Sequence, residues 1–182
     1  MSAKVYTRDR WATPQRVVDA VARILGEPPE IDLAASEQNT KAAGYVTESF
    51  VHIAFSDECL DPCRVNLENG LFSLDPEDVA GVFDGWAWLN PPYSRGNMER
   101  FTAWAAEYVN HGGTVALCHR PDFSTSCYQD NVLPHAKMLL LPSKRIHFIP
   151  PDGIKGSSSN FAAVITVMRG GDHEQIIRRL EV

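Results

Sequence analysis

Trp86-Ala87-Trp88-Leu89-Asn90-Pro91-Pro92-Tyr93 passes directly from an apolar run into a tetrapeptide that cannot extend it. Four consecutive apolar residues predict a buried strand. Two adjacent prolines have no backbone N–H to give to a sheet ladder, so the strand stops there. The strand therefore opens at its carboxyl end into a rigid loop, and in open α/β sheets ligands bind at such ends. The loop also carries chemistry. The Asn90 amide can accept a hydrogen bond from a planar exocyclic amine, and a carbonyl preceding proline can accept a second. Two acceptors draw the amine protons out of the ring plane, which frees the nitrogen lone pair to attack a methyl sulfonium. Tyr93 offers a flat face on which a base can stack, a contact worth about 1–3 kcal/mol in nucleic-acid sites. The alternative is a Pro-Pro turn with an aromatic anchor.

Elsewhere the pattern alternates helices with short buried strands. Thr13-Pro14 predicts a helix start, with Thr13 as N-cap and Pro14 at the first helical position. Val17, Val18, Val21, Ala22, Ile24 and Leu25 form its apolar face, and Gly26 stops it. Residues 31–35 read as a short buried strand ending in small residues, and 36–43 as a loop leading to a short helix. Residues 50–55 read as a strand, and 56–78 as loops around at most one strand. A helix is expected over 97–109, with Met98, Phe101, Trp104, Ala105 and Tyr108 on one face. Strands are expected at 114–118, 137–141, 146–149 and 161–168, and a helix over 123–133. Residues 150–160, rich in Gly and Ser, read as a flap. Trp86 and Trp88, two apart on a strand, share one face, and with Trp104 are read as core.

This order predicts an α/β fold with a mostly parallel sheet and an antiparallel C-terminal edge. The segments 32–35, 90–93 and 119–122 would then converge on one crevice at the strand ends.

The 182 residues fit a single domain, and an apolar fraction of 44% suffices for a core without disulfides or metals. No apolar run reaches the roughly 20 residues of a membrane span, and residues 1–10 lack the apolar centre of a signal peptide, so a cytoplasmic protein is expected. A net charge of −6 argues against an indiscriminate nucleic-acid coat but not against a locally basic surface. Cys59, Cys63, Cys118 and Cys127 form no C-x-x-C pair. A zinc set from Cys59, Cys63, Cys118 and His119 lacks the usual close pairs on both sides, and no metal is expected.

With Asn90-Pro91-Pro92-Tyr93, the stretches Trp11-Ala12-Thr13-Pro14 and Asp32-Leu33-Ala34-Ala35 make the chain resemble the phage-type, Dam-like DNA N6-adenine methyltransferases. The resemblance spans roughly residues 9–167, with a weaker match at 141–148. It implies a Rossmann-like sheet, S-adenosylmethionine as cofactor, and double-stranded DNA with a flipped adenine as substrate. By resemblance Asn90, Pro91, Pro92 and Tyr93 bind the target base. Trp11, Thr13 and Pro14 lie at the methionine end of the cofactor, and Asp32, Ala34 and Ala35 form its main loop. Small residues there substitute for the Gly-rich loop usual in this fold. For the cofactor ribose the candidates are Asp57, Asp61, Glu68 and Asp75, with Asp75 alternatively near the cofactor adenine. DNA contacts are sought at Arg95, Arg120, Lys144, Arg145, His147 and Lys155. Transfer then rests on positioning rather than on a strong base. The same chemistry on RNA or on a protein amide, and a silent nucleic-acid-binding module, remain as alternatives. No separate target-recognition domain is expected, and a homodimer would enlarge the DNA footprint. If phage-encoded, the protein would work in the host bacterial cytoplasm, in protection from restriction or in regulation.

Overall fold

The computed structural model describes residues 11–48, 50–53, 63–66, 68–94, 96–150, 161–171 and 174–182, without the side chains of 50, 51, 53 and 63–66. In chain order the elements are α1 (Gln15–Leu25), β1 (Ile31–Asp32), β2 (Gly44–Val46), β3 (Phe50–Ile53), β4 (Cys63–Asn66), α2 (Pro76–Val82), β5 (Trp86–Leu89), α3 (Asn97–Asn110), β6 (Thr114–His119), β7 (Ala136–Pro142), β8 (Val164–Arg169) and β9 (Ile176–Leu180). Among the described residues the nine strands form one sheet in the order β4-β3-β2-β1-β5-β6-β8-β7-β9. The Trp-Ala-Trp-Leu run is its fifth strand, buried at every position because elements cover both faces.

The central strands β2, β1, β5 and β6 are parallel. β8 runs antiparallel between β6 and β7, which makes the antiparallel C-terminal flank expected from sequence, and β9 returns parallel to β7. The other flank is antiparallel as well, through β3 and β4. β4 is the one strand allowed within 56–78, whereas α2 begins in that stretch and was read as loop. Its shortness hid α2, since seven residues hold too few repeats to show a period.

Alternation along the strands sorts side chains into two cores. Val17, Val18, Ala20 and Val21 of α1 pack on the face carrying Trp86, Trp88, Ala116, Cys118, Leu140, Ile165 and Val167. Trp104, Ala105, Tyr108 and Val109 of α3 pack on the opposite face with Ala87, Leu89, Val115, Leu117 and Met168. Trp86 and Trp88 share a face as expected, their rings edge-on at 6.5 Å. Each large indole finds an acceptor: Trp86 Nε1 donates to Glu27 O at 2.9 Å, and Trp104 Nε1 to Leu74 O at 3.0 Å. Gly26 ends α1 at φ 96°, where its N–H reaches Ala22 O.

Several expectations are corrected. Thr13 does not cap α1: Pro14 occupies the N-cap, no side chain among the described residues caps the helix, and Thr13 is buried. Residues 36–43 hold turns and bends and no helix. Residues 146–149 are not a strand. Ile146 and Phe148 insert into the α1-side core, which creates the alternation, but only Ile149 pairs, with Ala12. The helix over 123–133 is a short irregular run, with π-type hydrogen bonding at Tyr128–Val132 before the 3-10 turn Leu133–His135. β9 was not foreseen. Its residues are mostly exposed on an edge, so no buried alternation marks them.

Candidate active site

β1, β5 and β6 lie side by side and parallel, so their carboxyl ends open on one edge of the sheet. The segments after Asp32, Leu89 and His119 are thereby brought together, as the sequence predicted. Asp32 is in register with Trp88, and Leu33 N–H donates to Trp88 O at 2.9 Å, which sets the loop after β1 beside Asn90. A third segment joins from the N-terminus. Asn90 Nδ2 donates to Trp11 O at 3.4 Å, and Ala12 exchanges two backbone hydrogen bonds with Ile149, at 2.9 and 2.8 Å. Trp11 to Pro14 is thus held between the Asn-Pro-Pro-Tyr loop and the segment ending at Ile149.

The Asn90 amide is oriented from both sides. Its Nδ2 faces the Trp11 carbonyl, and its Oδ1 lies 3.1 Å from the Tyr93 hydroxyl. That hydroxyl lies equally near Cys118 O, at 3.0 Å, so its single proton is shared between two acceptors. An amide oxygen has two lone-pair directions, and one remains for an incoming amine. Burial raises the Tyr93 phenol well above its ordinary pKa, Cys118 adds to the rise and Arg120 opposes it. The Cys118 thiol is pushed up to about 12 by burial, so both groups act here as neutral.

Around the Tyr93 ring the structure assembles partners far apart in sequence. Phe161 meets it edge-on at 5.2 Å, and Phe148 lies 5.8 Å from Phe161. The Arg120 guanidinium stands 4.4 Å from the Phe161 ring centre and 5.5 Å from that of Tyr93. Next to it His119 is buried, with Nδ1 2.6 Å from Arg120 O and Nε2 2.7 Å from Thr166 Oγ1. Burial lowers the His119 pKa to about 4, so the ring is neutral. A neutral ring satisfies both contacts when Nδ1–H donates to Arg120 O and Nε2 accepts from the Thr166 hydroxyl.

In the loop after β1, Asp32 is buried, and its carboxylate accepts from Ala34 N–H at 3.2 Å and Lys41 N–H at 3.0 Å. Desolvation pushes its pKa up to about 7; the two amides and the Lys41 ammonium oppose that rise. Asp32 therefore clasps the loop that carries Ala34 and Ala35. Thr13 Oγ1 is buried without a hydrogen-bond partner among the described residues, directly before the uncapped amino terminus of α1. A buried donor left unmade costs about 1–3 kcal/mol, and here it stands where helix N–H groups also lack side-chain partners. A small anionic group would satisfy both. Thr13 and the α1 amino terminus thus offer donors suited to a carboxylate, and the buried Asp32 carboxylate is an acceptor suited to an ammonium.

The remaining candidates divide. Asp75 is exposed and caps α2, accepting from Glu77 N–H at 3.0 Å. Glu68 is exposed. Lys144, Arg145 and His147 are exposed on the segment that leads to Ile149 and so approach the Trp11 side of the edge. Arg95, Lys155, Asp57, Asp61 and Cys59 lie outside the described residues, as do all but Pro150 of the residues 150–160 read as a flap. Among the described residues no group of three or more His, Cys, Asp or Glu is placed to hold a metal, and no helix is long and apolar enough to cross a membrane.

Sequence reading placed His119 at the crevice but missed Lys41, Cys118, Phe161 and Thr166 as parts of this site. Lys41 and Cys118 contribute backbone groups, which leave no mark in side-chain pattern, and Phe161 and Thr166 reach the site only through the β6–β8 pairing.

A sequence model of the family described as DNA N-6-adenine-methyltransferase (Dam) matches residues 77–178, more than half of the 182-residue chain. The match contains the Asn-Pro-Pro-Tyr loop, Arg120 and the segment 144–147, while Thr13 and Asp32 precede it. A crystal structure of a predicted O-methyltransferase from Agrobacterium tumefaciens is similar at 18% identity and a TM-score of 0.34, over 53% of this chain and 41% of that one. The chain thus spans less than half the length of that structure. A comparison with curated proteins gives no match. With its strand-end Asn-Pro-Pro-Tyr loop inside the matched region, the chain belongs to the DNA N-6-adenine-methyltransferase (Dam) family.

Proposed function

We propose that the protein transfers a methyl group from S-adenosylmethionine to the N6 amine of adenine in DNA. One observation carries the reading: Asn90 Oδ1, aligned by the Tyr93 hydroxyl and the Trp11 carbonyl, stands at the carboxyl end of the central strand with a lone pair left for an amine. Family membership supports methyl transfer, and the choice of DNA adenine as acceptor follows the family's description.

When bound, the cofactor supplies an electrophilic methyl group on a sulfonium. Thr13 and the first turn of α1 would receive its carboxylate, Asp32 its ammonium, and Ala34 and Ala35 let the backbone approach closely. Asn90 holds the amine so that its lone pair leaves conjugation, and the neutral surroundings of Cys118 and Tyr93 place no competing charge beside it. The proton lost after transfer goes to solvent, so no strong general base is needed. Reaching the amine requires that the base leave the duplex. Arg120, Lys144, Arg145 and His147 supply the exposed cationic or protonatable groups near this edge for the phosphates.

The test is incubation with cofactor labelled on its methyl group and unmethylated duplex DNA, RNA or protein. Label in DNA as N6-methyladenine is expected. Label that enters RNA or a protein amide but never DNA overturns the acceptor while keeping the chemistry.

A further inference from the structure

The face that Tyr93 should offer to a base is not bare. Arg120 is exposed at the carboxyl end of β6, yet its guanidinium folds back over Phe161, 4.4 Å from the ring centre, and to within 5.5 Å of the centre of Tyr93. Tyr93 and Phe161 meet edge-on at 5.2 Å, so the three groups form one cluster. Its backbone is pinned while its side chain is not. Arg120 O accepts from His119 Nδ1–H at 2.6 Å and from Asp122 N–H at 2.8 Å, and no ion pair with Asp122 is found among the described residues.

A guanidinium is planar, stacks on aromatic rings and binds phosphate in a bidentate fork. It can therefore stand in for a base before substrate arrives and serve as a phosphate ligand afterwards. We propose that Arg120 is a placeholder for the target base: in the free protein it covers the Tyr93–Phe161 stacking surface, and on binding a polynucleotide it swings from this cluster to a backbone phosphate. The inference rests on the reading of Tyr93 as the stacking platform. It assigns Arg120 two opposed effects, competition with a lone base and attraction for a phosphodiester chain.

Adenosine has the base without a phosphate, and single-stranded oligodeoxyadenylate has both without the cost of flipping. Both are titrated against wild type, Arg120→Ala and Arg120→Lys with the cofactor site saturated by S-adenosylhomocysteine. Arg120→Ala should bind adenosine roughly two- to fivefold more tightly, the equivalent of an exposed cation–π contact of about 0.5–1 kcal/mol. It should bind the oligonucleotide more weakly, with the slope of log affinity against log salt reduced by about 0.7. Arg120→Lys keeps a charge but not the planar fork, so it should keep the salt slope and still gain on adenosine. Adenosine affinity that is unchanged or lower in Arg120→Ala overturns the placeholder, and so does an unchanged salt slope. A gain that persists in Arg120→Ala combined with Tyr93→Leu instead places the base away from Tyr93 and overturns the reading of the tetrapeptide.

Discussion

The Tyr93 hydroxyl lies 3.1 Å from Asn90 Oδ1, so the two ends of the Asn-Pro-Pro-Tyr loop are bonded to each other across the prolines. The aromatic residue therefore positions the amide, in addition to the stacking role proposed for its ring. Tyr93→Phe keeps the ring and removes that contact. It should lower kcat about five- to tenfold, the scale of one hydrogen bond of about 1 kcal/mol, with little change in KM for DNA. Steady-state kinetics on duplex DNA check the split.

Asn90→Ala removes the acceptor itself. Loss of one preorganised group acting on the reacting atom costs on the order of 10²–10³ in kcat. Cofactor binding, measured by calorimetry, should stay nearly intact because Asn90 contacts Trp11 only through its Nδ2 and lies outside the loop clasped by Asp32. Wild-type turnover in Asn90→Ala would show that the amine is polarised elsewhere.

Asp32 binds Lys41 through the backbone, so the two residues should respond differently to alanine. Asp32→Ala releases the loop holding Ala34 and Ala35 and should weaken S-adenosylmethionine binding by about tenfold or more, the worth of hydrogen bonds to a charged group. Lys41→Ala keeps the N–H donor and should change affinity far less. Equal losses in both variants would put the Lys41 ammonium, rather than the clasp, at the centre of cofactor binding.

Two buried groups oppose each other in acid. Asp32 has its pKa raised by burial from 3.8 to about 7, so its contribution to stability is present below the lower value and is lost as pH rises through about 7. His119 has its pKa lowered by burial from 6.5 to about 4, so its contribution is present above the higher value and is lost as pH falls through about 4. The windows overlap with opposite signs. From pH 4 to 7 the stability advantage of wild type over Asp32→Asn should fall by on the order of 3 kcal/mol, and that over His119→Gln should rise similarly. Urea unfolding at several pH values measures both differences.

Gly113 shows how tightly the helix α3 side is packed. A Cβ at this position would fall onto the ring of Tyr108, which is fully buried. Gly113→Ala should cost about 1–3 kcal/mol through overpacking. Tyr108→Phe should be neutral or stabilising, since the Tyr108 hydroxyl is buried with no hydrogen-bond partner. Denaturant midpoints distinguish the two.

The parts of this fold legible in sequence are those whose cause is local. Trp86-Ala87-Trp88-Leu89 ends as a strand because Pro91 and Pro92 cannot join a ladder, and α1 ends because Gly26 adopts a left-handed conformation. The misreadings share another cause. Ile146 and Phe148 alternate in burial without being a strand, because they fill a core supplied mainly by α1 and the sheet. Thr13 has the chemistry of a cap but is turned inward by the pairing of Ala12 with Ile149.

By itself the sequence determined the alternation of helices and strands and the rigid loop after the central strand that carries Asn90 and Tyr93. Only the tertiary structure decided which groups face them. The order β1-β5-β6-β8 carries Asp32, Cys118, Arg120 and Phe161 to one edge of the sheet from positions up to 129 residues apart. The physical reason is that side-chain periodicity reports which face is buried, whereas strand pairing over long separations sets the neighbours, and the backbone carbonyls of Trp11 and Cys118 that align the Asn-Tyr pair are the same in every residue type.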